Sequence, residues 1–405
     1  VFLMNKKLKI LWMHYNMYMV LPLKRLMMQY VDEFRDPELA KALLAQIRET
    51  ISQWPHPITR PLQIMEVCGG HTHAIFKFGL DRLLPQEIEF VHGPGCPVCV
   101  LPMGRIDACL EIAARPEVIF CTFGDAMRVP GRHGSMLDAR RRGSDIRIVY
   151  SPLDSLKIAQ DNPDKQVVFF GLGFETTMPS TAMTLQQAKL RGLKNFSLFC
   201  QHITIVPTLR CLLEQEDVRI DGFIAPGHVS MVIGCTPYQP LCDEFEKPFV
   251  VTGFEPLDLL QAILMVVKQL KAKAENADYV LSIENQYSRI VPNEGNKLAQ
   301  KALKDVFMLK ESSEWRGLGE IPMSGIQLTP AYAEFDAERR FTPAPQQVAD
   351  NPQSRCGDVL TGRCKPSDCP LFGKSCTPET ALGALMVSSE GACAAYYQYR
   401  REGNI

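Results

Sequence analysis

The stretch LQIMEVCGGHTHAIFKF at residues 62–78 contains the unit from which the fold is built. The apolar run Leu62–Val67 predicts a buried strand, and Gly69 and Gly70 permit a tight turn. A helical pattern follows from about His71, so a strand leads through a glycine turn into a helix. This is the first half of a βαβ unit, which is typical of parallel sheets.

The same rhythm continues to about residue 270. Further strands are predicted at Ile88–His92, Val118–Thr122, Ile146–Tyr150, Gln166–Phe170, Phe196–Cys200, Gly222–Ala225 and Phe249–Thr252. Helices are predicted at Ile106–Ala114, Pro179–Arg191, Pro207–Gln215 and Pro256–Lys273. Eight strands fit one wide sheet, a barrel or two four-stranded sheets. We predict two similar parallel sheets, divided between Tyr150 and Gln166, because residues 161–165 have a turn-like composition.

The predicted fold is therefore α/β, with two similar βαβ domains and a cysteine-rich C-terminal region. Residues 1–27 are predicted to be a disordered extension, and residues 28–60 a helical segment that packs with the C-terminal region. The two α/β domains are placed at residues 61–155 and 156–275. Residues 276–405 are poor in strand patterns and rich in proline, so we predict a mostly helical or irregular domain organised by a metal centre.

Bulk composition narrows the functional classes. The 405 residues have a formal net charge of −1, so no global basic field favours nucleic acid or an anionic membrane. Fourteen cysteines in a long α/β chain favour metal or redox chemistry in a reducing compartment over a disulfide framework. We therefore predict a cytoplasmic protein without a membrane span.

The first motif places Cys68 where a strand ends, with His71 and His73 in the following turn. Ligands of parallel sheets collect at the carboxyl ends of the strands. Backbone N–H groups at a helix start favour anions, so we expect them to stabilise the Cys68 thiolate. The alternative is a buried cysteine beside a structural glycine turn.

The second motif is HGPGCPVC at residues 92–99, a C-x2-C pair directly after a strand. The spacing of Cys96 and Cys99 suits a redox dithiol or half of a metal site. The chain contains no second C-x2-C pair, which weakens a zinc-ribbon interpretation. Two structural thiols remain the alternative.

The third motif is the C-terminal set Cys356, Cys364, Cys369, Cys376 and Cys393. Four thiolates hold either a 4Fe-4S cluster or zinc, and the spacing does not choose between them. Five candidates also exceed the four ligands that either site requires.

The fourth motif is GLGFETT at residues 171–177. It lacks the third glycine of a dinucleotide site and the Gly-Lys-Ser/Thr of a P-loop. We therefore prefer a tight turn with Glu175 and Thr176 facing the cleft over nucleotide binding. His228, in Ala-Pro-Gly-His after a strand, is equally compatible with a cleft position and a core or loop position.

Five longer motifs together resemble one known family: VCGGHTHAIFKFGLD (67–81), HGPGCPVCVLP (92–102), TFGDAMRVPG (122–131), GLGFETTMPST (171–181) and MVSSEGACAAYYQYR (386–400). They closely resemble HypD, the family of NiFe-hydrogenase maturation factors. The resemblance extends from about residue 28 to the end, in the family's order of motifs. It implies two similar α/β domains and a third region that holds a 4Fe-4S cluster.

The resemblance also implies partners. A complex with the small chaperone HypC would carry iron while it acquires CN⁻ and CO, with cyanide arriving from HypE. The finished Fe(CN)2CO unit would pass to the hydrogenase large subunit, which is thus an indirect partner.

The resemblance assigns roles to several cysteines. Cys68 would bind the iron of the Fe(CN)2CO unit, with His71 beside it in the ligand pocket. Cys96 and Cys99 would be the redox-active pair of the same cleft. The cluster ligands would be Cys356, Cys369, Cys376 and Cys393, and the family pattern leaves Cys364 outside the set.

Three function classes follow from these motifs. The leading one is a maturation scaffold with redox capacity, in which electrons pass between the cluster and Cys96/Cys99 and then toward iron at Cys68. The second is a thiol–disulfide oxidoreductase with a structural zinc site, and the third is a nucleotide-dependent enzyme using the Gly171 loop. Catalytic turnover on a free substrate is not implied, so the sequence leaves open whether the protein is an enzyme.

Overall fold

A computed structural model describes residues 32–344, 348–349 and 351–400. The predicted extension at residues 1–27 lies outside the described residues. The α/β class and the two parallel sheets are confirmed. Within the described ranges, no helix combines the length and the apolar character needed to cross a membrane.

The strands have the following bounds: β1 (Leu62–Glu66), β2 (Ile88–His92), β3 (Val118–Thr122), β4 (Ile146–Ile148), β5 (Gln166–Gly173), β6 (Phe196–His202), β7 (Gly222–Pro226), β8 (Phe249–Thr252), β9 (Ile283–Asn285), β10 (Phe307–Leu309), β11 (Ser312–Trp315), β12 (Gly319–Pro322) and β13 (Ile326–Leu328). All eight predicted strands are present. Those at β2, β3 and β8 have the predicted bounds.

The α-helices have the following bounds: α1 (Pro37–Ser52), α2 (Gly69–Lys77), α3 (Leu80–Leu83), α4 (Met103–Ala113), α5 (Met136–Arg141), α6 (Pro152–Asp161), α7 (Met178–Leu190), α8 (Ile205–Leu213), α9 (Gly227–Ile233), α10 (Gln239–Phe245), α11 (Pro256–Glu275), α12 (Lys297–Val306), α13 (Ala337–Phe341), α14 (Cys356–Leu360) and α15 (Ala392–Tyr399). Helices cover the sheets and bury the apolar strands between them.

The division of strands between the sheets differs from the prediction. The first sheet has the order β2-β1-β7-β8-β9, and the second has the order β4-β3-β5-β6. The predicted division between Tyr150 and Gln166 is wrong, because β3 pairs in parallel with β5 across it. The chain leaves the first sheet after β2, builds the whole second sheet and returns at β7. Hydrophobic periodicity predicts strands, but it carries no information on which distant strands pair.

The N-terminal segment contains the predicted helix, α1, whose main contact is with α11. Asp36 caps α1 by accepting hydrogen bonds from the backbone N–H groups of Glu38 and Leu39. The buried residues Leu44 and Ile47 of α1 lie against α11 and the first sheet, in one apolar cluster. The apolar stripe of α1 thus packs on the long apolar face of α11, and the same N-terminal segment meets the C-terminal region where the Arg289 guanidinium lies 4.0 Å from the centroid of the Phe34 ring.

The C-terminal region is built from short elements. It contains short strands that the sequence did not reveal, and one of them, β9, forms an edge of the first sheet. Helix α15 packs against α2, the helix that follows Cys68. This contact brings the cysteine-rich region to the carboxyl end of the first sheet.

Candidate functional site

A cavity of about 320 Å³, hereafter the cleft, lies where the carboxyl ends of strands from both sheets meet. Its wall comes from the loops that follow β1, β2, β3, β5 and β7, together with part of the C-terminal region. The wall residues that carry polar or reactive groups are Cys68, Cys96, Thr122, Asp125, Thr176, Thr177, His228, Ser388 and Glu390. The cleft therefore has the location that the sheet-edge rule predicts.

Cys68 begins helix α2, and its side chain reaches the cleft wall. Burial raises the pKa of its thiol to about 12; the backbone N–H groups of Gly70 and His71 oppose this rise, and the carboxylates of Glu66 and Glu390 add to it. The expected stabilisation of the thiolate at the helix start is therefore outweighed. A cation that replaces the proton would remove this penalty, because metal binding requires the deprotonated sulfur.

A buried polar network lies directly behind Cys68. Glu66, which is 0% exposed, accepts a hydrogen bond from the Cys68 backbone N–H at 3.0 Å. The same carboxylate accepts a short hydrogen bond from the Thr72 hydroxyl and lies 2.8 Å from His92 Nδ1. Buried polar groups that are fully paired hold a unique geometry. The network therefore fixes the turn that presents Cys68. Nothing in the sequence marks Glu66 as functional, because it lies within an apolar strand pattern.

Gly95 brings the two cysteine loops together. A Cβ atom at Gly95 would lie 2.2 Å from the backbone nitrogen of Cys68 and 2.3 Å from the carbonyl carbon of Val67. The Gly95 carbonyl also accepts a hydrogen bond from the Gly69 N–H at 3.3 Å. Only glycine allows this approach of one backbone to another. Cys68 and Cys96 consequently share one cleft.

Cys96 and Cys99 form a disulfide with a Cα–Cα distance of 5.3 Å. Cys96 lines the cleft, and both Cys96 and Cys99 line a small second cavity beside Gly391. A Cβ atom at Gly391 would lie 3.1 Å from Cys99 Sγ. The disulfide thus stands between the cleft and the N-terminus of helix α15, which carries Cys393.

The histidines divide into buried and cleft-facing groups. His71 is 0% exposed, and neither of its ring nitrogens has a hydrogen-bond partner in the described part of the chain. Burial lowers the pKa of His71 to about 4. His71 does not appear on the cleft wall, whereas His228 does, and partial burial also lowers the pKa of His228. The ring of Phe254 lies between the two imidazoles.

The GLGFETT loop contributes Thr176 and Thr177 to the cleft wall. Glu175 was expected to face the cleft, but this expectation is wrong. Its carboxylate is buried and accepts a hydrogen bond from the Ile205 backbone N–H, at the start of α8, at 3.1 Å. Burial raises the pKa of Glu175 to about 7. The unpaired donor at a helix start thus draws this side chain away from the cleft.

Four of the five C-terminal cysteines line one small cavity, hereafter the four-cysteine cavity: Cys356, Cys369, Cys376 and Cys393. Cys364 lies instead on the wall of a neighbouring groove. Burial, followed by the neighbouring cysteines, raises the pKa of Cys393 well above its usual value. Across the ranges that the structure describes, no group of three or more His, Cys, Asp or Glu side chains is gathered tightly enough for a single metal ion.

The donor set of this cavity suits an iron–sulfur cluster. Its wall contains four thiols and no carboxylate or imidazole, and apolar side chains such as Leu371, Phe372 and Met386 complete it. The Ser354 hydroxyl donates a hydrogen bond to Cys356 Sγ at 3.2 Å. Clusters are held by four thiolates and tuned by burial and by hydrogen bonds to sulfur. Cys364, which was left out of the predicted ligand set, does not line this wall.

These features define a class: an α/β protein with a thiol and a disulfide in a cleft between two parallel sheets, and a four-cysteine cavity beside it. A family model described as HypD, hydrogenase formation hypA family, matches residues 38–400. The hydrogenase maturation factor HypD of Escherichia coli strain K12 is 65% identical over 375 residues, which cover 93% of this chain and 99% of that protein. The chain belongs to the HypD family of hydrogenase maturation factors.

Other relatives extend the same relationship. The hydrogenase maturation factor HypD of Rhodobacter capsulatus is 56% identical over 92% of this chain and 98% of its own length. That of Cupriavidus necator is 48% identical over 93% of this chain and 99% of its own length. Each alignment covers nearly the full relative, so the cleft and the four-cysteine cavity both lie inside the shared region.

Proposed function

We propose that this protein is the scaffold on which the Fe(CN)2CO unit of a NiFe-hydrogenase is assembled. It would act in complex with a HypC-type chaperone, receive cyanide from HypE and serve the hydrogenase large subunit indirectly. The single observation that carries this proposal is the arrangement of sulfur: Cys68 in the cleft, the disulfide at its wall and four thiols beyond it. This arrangement supports metal and electron chemistry at one place.

Cys68 would hold the iron cargo. Thiolate is a soft ligand that suits low-valent iron carrying CN⁻ and CO. The high pKa of Cys68 keeps the free thiol protonated, so iron binding would release one proton. The cleft would leave the other iron positions open to the chaperone and to the incoming ligands.

The disulfide would serve as a two-electron store. Its reduction consumes two electrons and two protons, breaks the bond between Cys96 Sγ and Cys99 Sγ, and leaves two thiols. Cys96 would face the iron cargo, and Cys99 would face helix α15. Thiol chemistry of this kind needs one accessible sulfur, and Cys96 on the cleft wall supplies it.

Cys356, Cys369, Cys376 and Cys393 would hold a 4Fe-4S cluster. When bound, such a cluster would supply single electrons. The four side chains would shield it among apolar neighbours, and Ser354 would direct its hydroxyl toward one of the sulfurs.

The disulfide also supports a second candidate, a thiol–disulfide oxidoreductase with structural zinc in the four-cysteine cavity. Anaerobic purification separates the two candidates. A brown protein with about four irons per chain supports the scaffold, and a colourless zinc protein supports the oxidoreductase.

The decisive experiment is anaerobic co-purification with the HypC-type chaperone, followed by infrared spectroscopy for iron-bound CN⁻ and CO. We expect these bands in the wild-type complex and their loss in Cys68→Ala, with cluster iron retained. Cys211→Ala is the matched control, because Cys211 lies on α8 and outside the cleft wall. Full bands in Cys68→Ala, or no bands in a wild-type complex of intact iron content, would overturn the proposal.

A further inference from the structure

We propose that Phe254 is a positioning residue, which fixes the imidazole of His228 in the cleft by stacking between His228 and His71. The inference rests on the proposed function of the cleft for its chemical meaning. The geometry comes from the ring contacts of Phe254, which lies just after strand β8 at the carboxyl ends of the strands of the first sheet.

Phe254 makes a tilted ring contact with each of the two imidazoles. The ring centroids of His228 and Phe254 are 4.0 Å apart, with the planes tilted by 30°. The centroids of His71 and Phe254 are 4.7 Å apart, with a tilt of 32°. Such tilted, nearly parallel contacts are favourable aromatic geometries. Phe254 therefore packs against the buried imidazole of His71 and supports the exposed imidazole of His228.

His228 needs this support. It lies on the cleft wall and is the first side chain of helix α9 to follow the turn after β7. Within the described part of the chain, no side-chain hydrogen bond orients its ring. An exposed imidazole without such a bond exchanges among several staggered rotamers. Stacking on Phe254 thus decides which edge of His228 faces the bound cargo.

Phe254 itself is fixed from three sides. Gly70 leaves room for it, since a Cβ atom there would lie 2.9 Å from two carbons of the Phe254 ring. Tyr287 meets the ring edge-on, with centroids 6.4 Å apart at 85°. The backbone N–H of Gly253, the preceding residue, donates to Gln286 Oε1 at 3.4 Å. The second glycine of the Cys-Gly-Gly turn is therefore required for packing, because it admits the ring that supports His228.

The first test measures the rotamer of His228 in the full-length protein purified alone, without iron cargo or partner. Histidine labelled with ¹³C gives a ring signal for each histidine, and His228→Gln assigns the signal of interest. We expect the three-bond couplings of the His228 side chain, which report its rotamer, to show one rotamer in the wild type, several rotamers in Phe254→Leu and one rotamer again in Phe254→Tyr. One aromatic pair favours the stacked rotamer by a factor of about 2 to 10. Unchanged His228 couplings in Phe254→Leu would overturn the proposal.

The second test measures the consequence for assembly. In complexes with the HypC-type chaperone, Phe254→Leu should lower the yield of iron-bound CN⁻ and CO bands or shift their frequencies, and Phe254→Tyr should restore both. Phe245→Leu is the matched control, because Phe245 is also half-buried and makes a ring contact, with the Arg210 guanidinium, but lies outside the cleft wall. Wild-type bands in Phe254→Leu, or equal losses in Phe245→Leu, would overturn the positioning role.

The two tests distinguish failure of the positioning role from failure of the proposed function. If the wild-type complex shows no CN⁻ or CO bands, the proposed function of the cleft is wrong. The histidine signals still report whether Phe254 orients His228, because they are measured without iron cargo or partner.

Discussion

The thiols of the cleft stand at the ends of buried parallel strands, whereas those of the four-cysteine cavity stand on short turns and helices. Cys68 and Cys96 follow β1 and β2, which pair along five residues. Cys356 and Cys393 lie on helices of five and eight residues, and Cys369 and Cys376 lie in turns between them.

This difference indicates what organises each region. Strand pairing and the Gly95 contact hold the cleft, so its geometry requires no metal. The segment around the four-cysteine cavity has few regular hydrogen bonds of its own, so bound metal would supply much of its folding free energy. Loss of bound metal should therefore disturb the geometry of the cleft less than the geometry of the four-cysteine cavity.

The largest expected effect is in the four-cysteine cavity. Cys376→Ala should abolish nearly all cluster iron, because three thiolates do not complete the ligand set. Iron content and visible absorbance after anaerobic reconstitution measure this loss. Cys364→Ala is the control and should keep the cluster, since Cys364 lies outside the cavity wall. Equal iron losses in the two variants would contradict the assigned ligand set.

The next effect tests the backbone contact that builds the cleft. Gly95→Ala should lower the free energy of unfolding by about 3 kcal/mol or more, because its Cβ overlaps backbone atoms that cannot move alone. Chemical denaturation measures the change. Gly124→Ala is the control beside the same cleft: its backbone is helical, and its Cβ would lie 3.7 Å from the nearest atom, a carbon of Ile148. Wild-type stability in Gly95→Ala would refute the contact.

The next prediction concerns the stability of the second sheet at acidic pH, where His202 on β6 titrates. Burial lowers the pKa of His202 to about 4, and its ring lies 3.3 Å from the Gly173 carbonyl and 3.2 Å from the Thr181 hydroxyl. Between pH 6.5 and 4 the unfolded chain binds a proton that the folded chain does not. The contribution of His202 to the free energy of unfolding should therefore fall by about 3 kcal/mol as the pH falls through this window, while buried His71 adds to the total fall and Glu175 opposes it.

His202→Gln should flatten that pH dependence, as measured by denaturation at several pH values. The exposed His133→Gln is the control and should leave the pH dependence as in the wild type. A slope that is equally steep in His202→Gln would show that the histidine is not buried as described.

The smallest effect lies far from both sulfur regions. Ile47→Val removes one methylene group from the contact between α1 and α11, and it should lower the free energy of unfolding by about 1 kcal/mol. Thermal denaturation measures this change. Iron content should match the wild type, because α1 contacts neither the cleft nor the four-cysteine cavity. A change in iron content would mean that the packing of α1 is coupled to these sites.

The sequence predicted local structure far better than it predicted pairing. The strand at Phe249–Thr252 was predicted to the residue, because buried parallel strands are continuous apolar runs. The membership of β3 in the second sheet was not predictable, since it depends on contacts between distant segments. Phe254 was missed because an aromatic residue after a strand carries no signal of its own. The pKa of Cys68 was misjudged because burial cannot be read from a helix-start motif.

The interrupted order of the first sheet has a consequence for synthesis. β1 and β2 leave the ribosome first, but β7, the second neighbour of β1, follows roughly 130 residues later. At a typical elongation rate this interval lasts about 6 to 26 s. Throughout it, Cys68, Cys96 and Cys99 are carried by a half-built sheet, while all four strands of the second sheet emerge and can pair. A nascent chain in this state depends on its surroundings, rather than on its own fold, to keep those sulfur atoms from reacting.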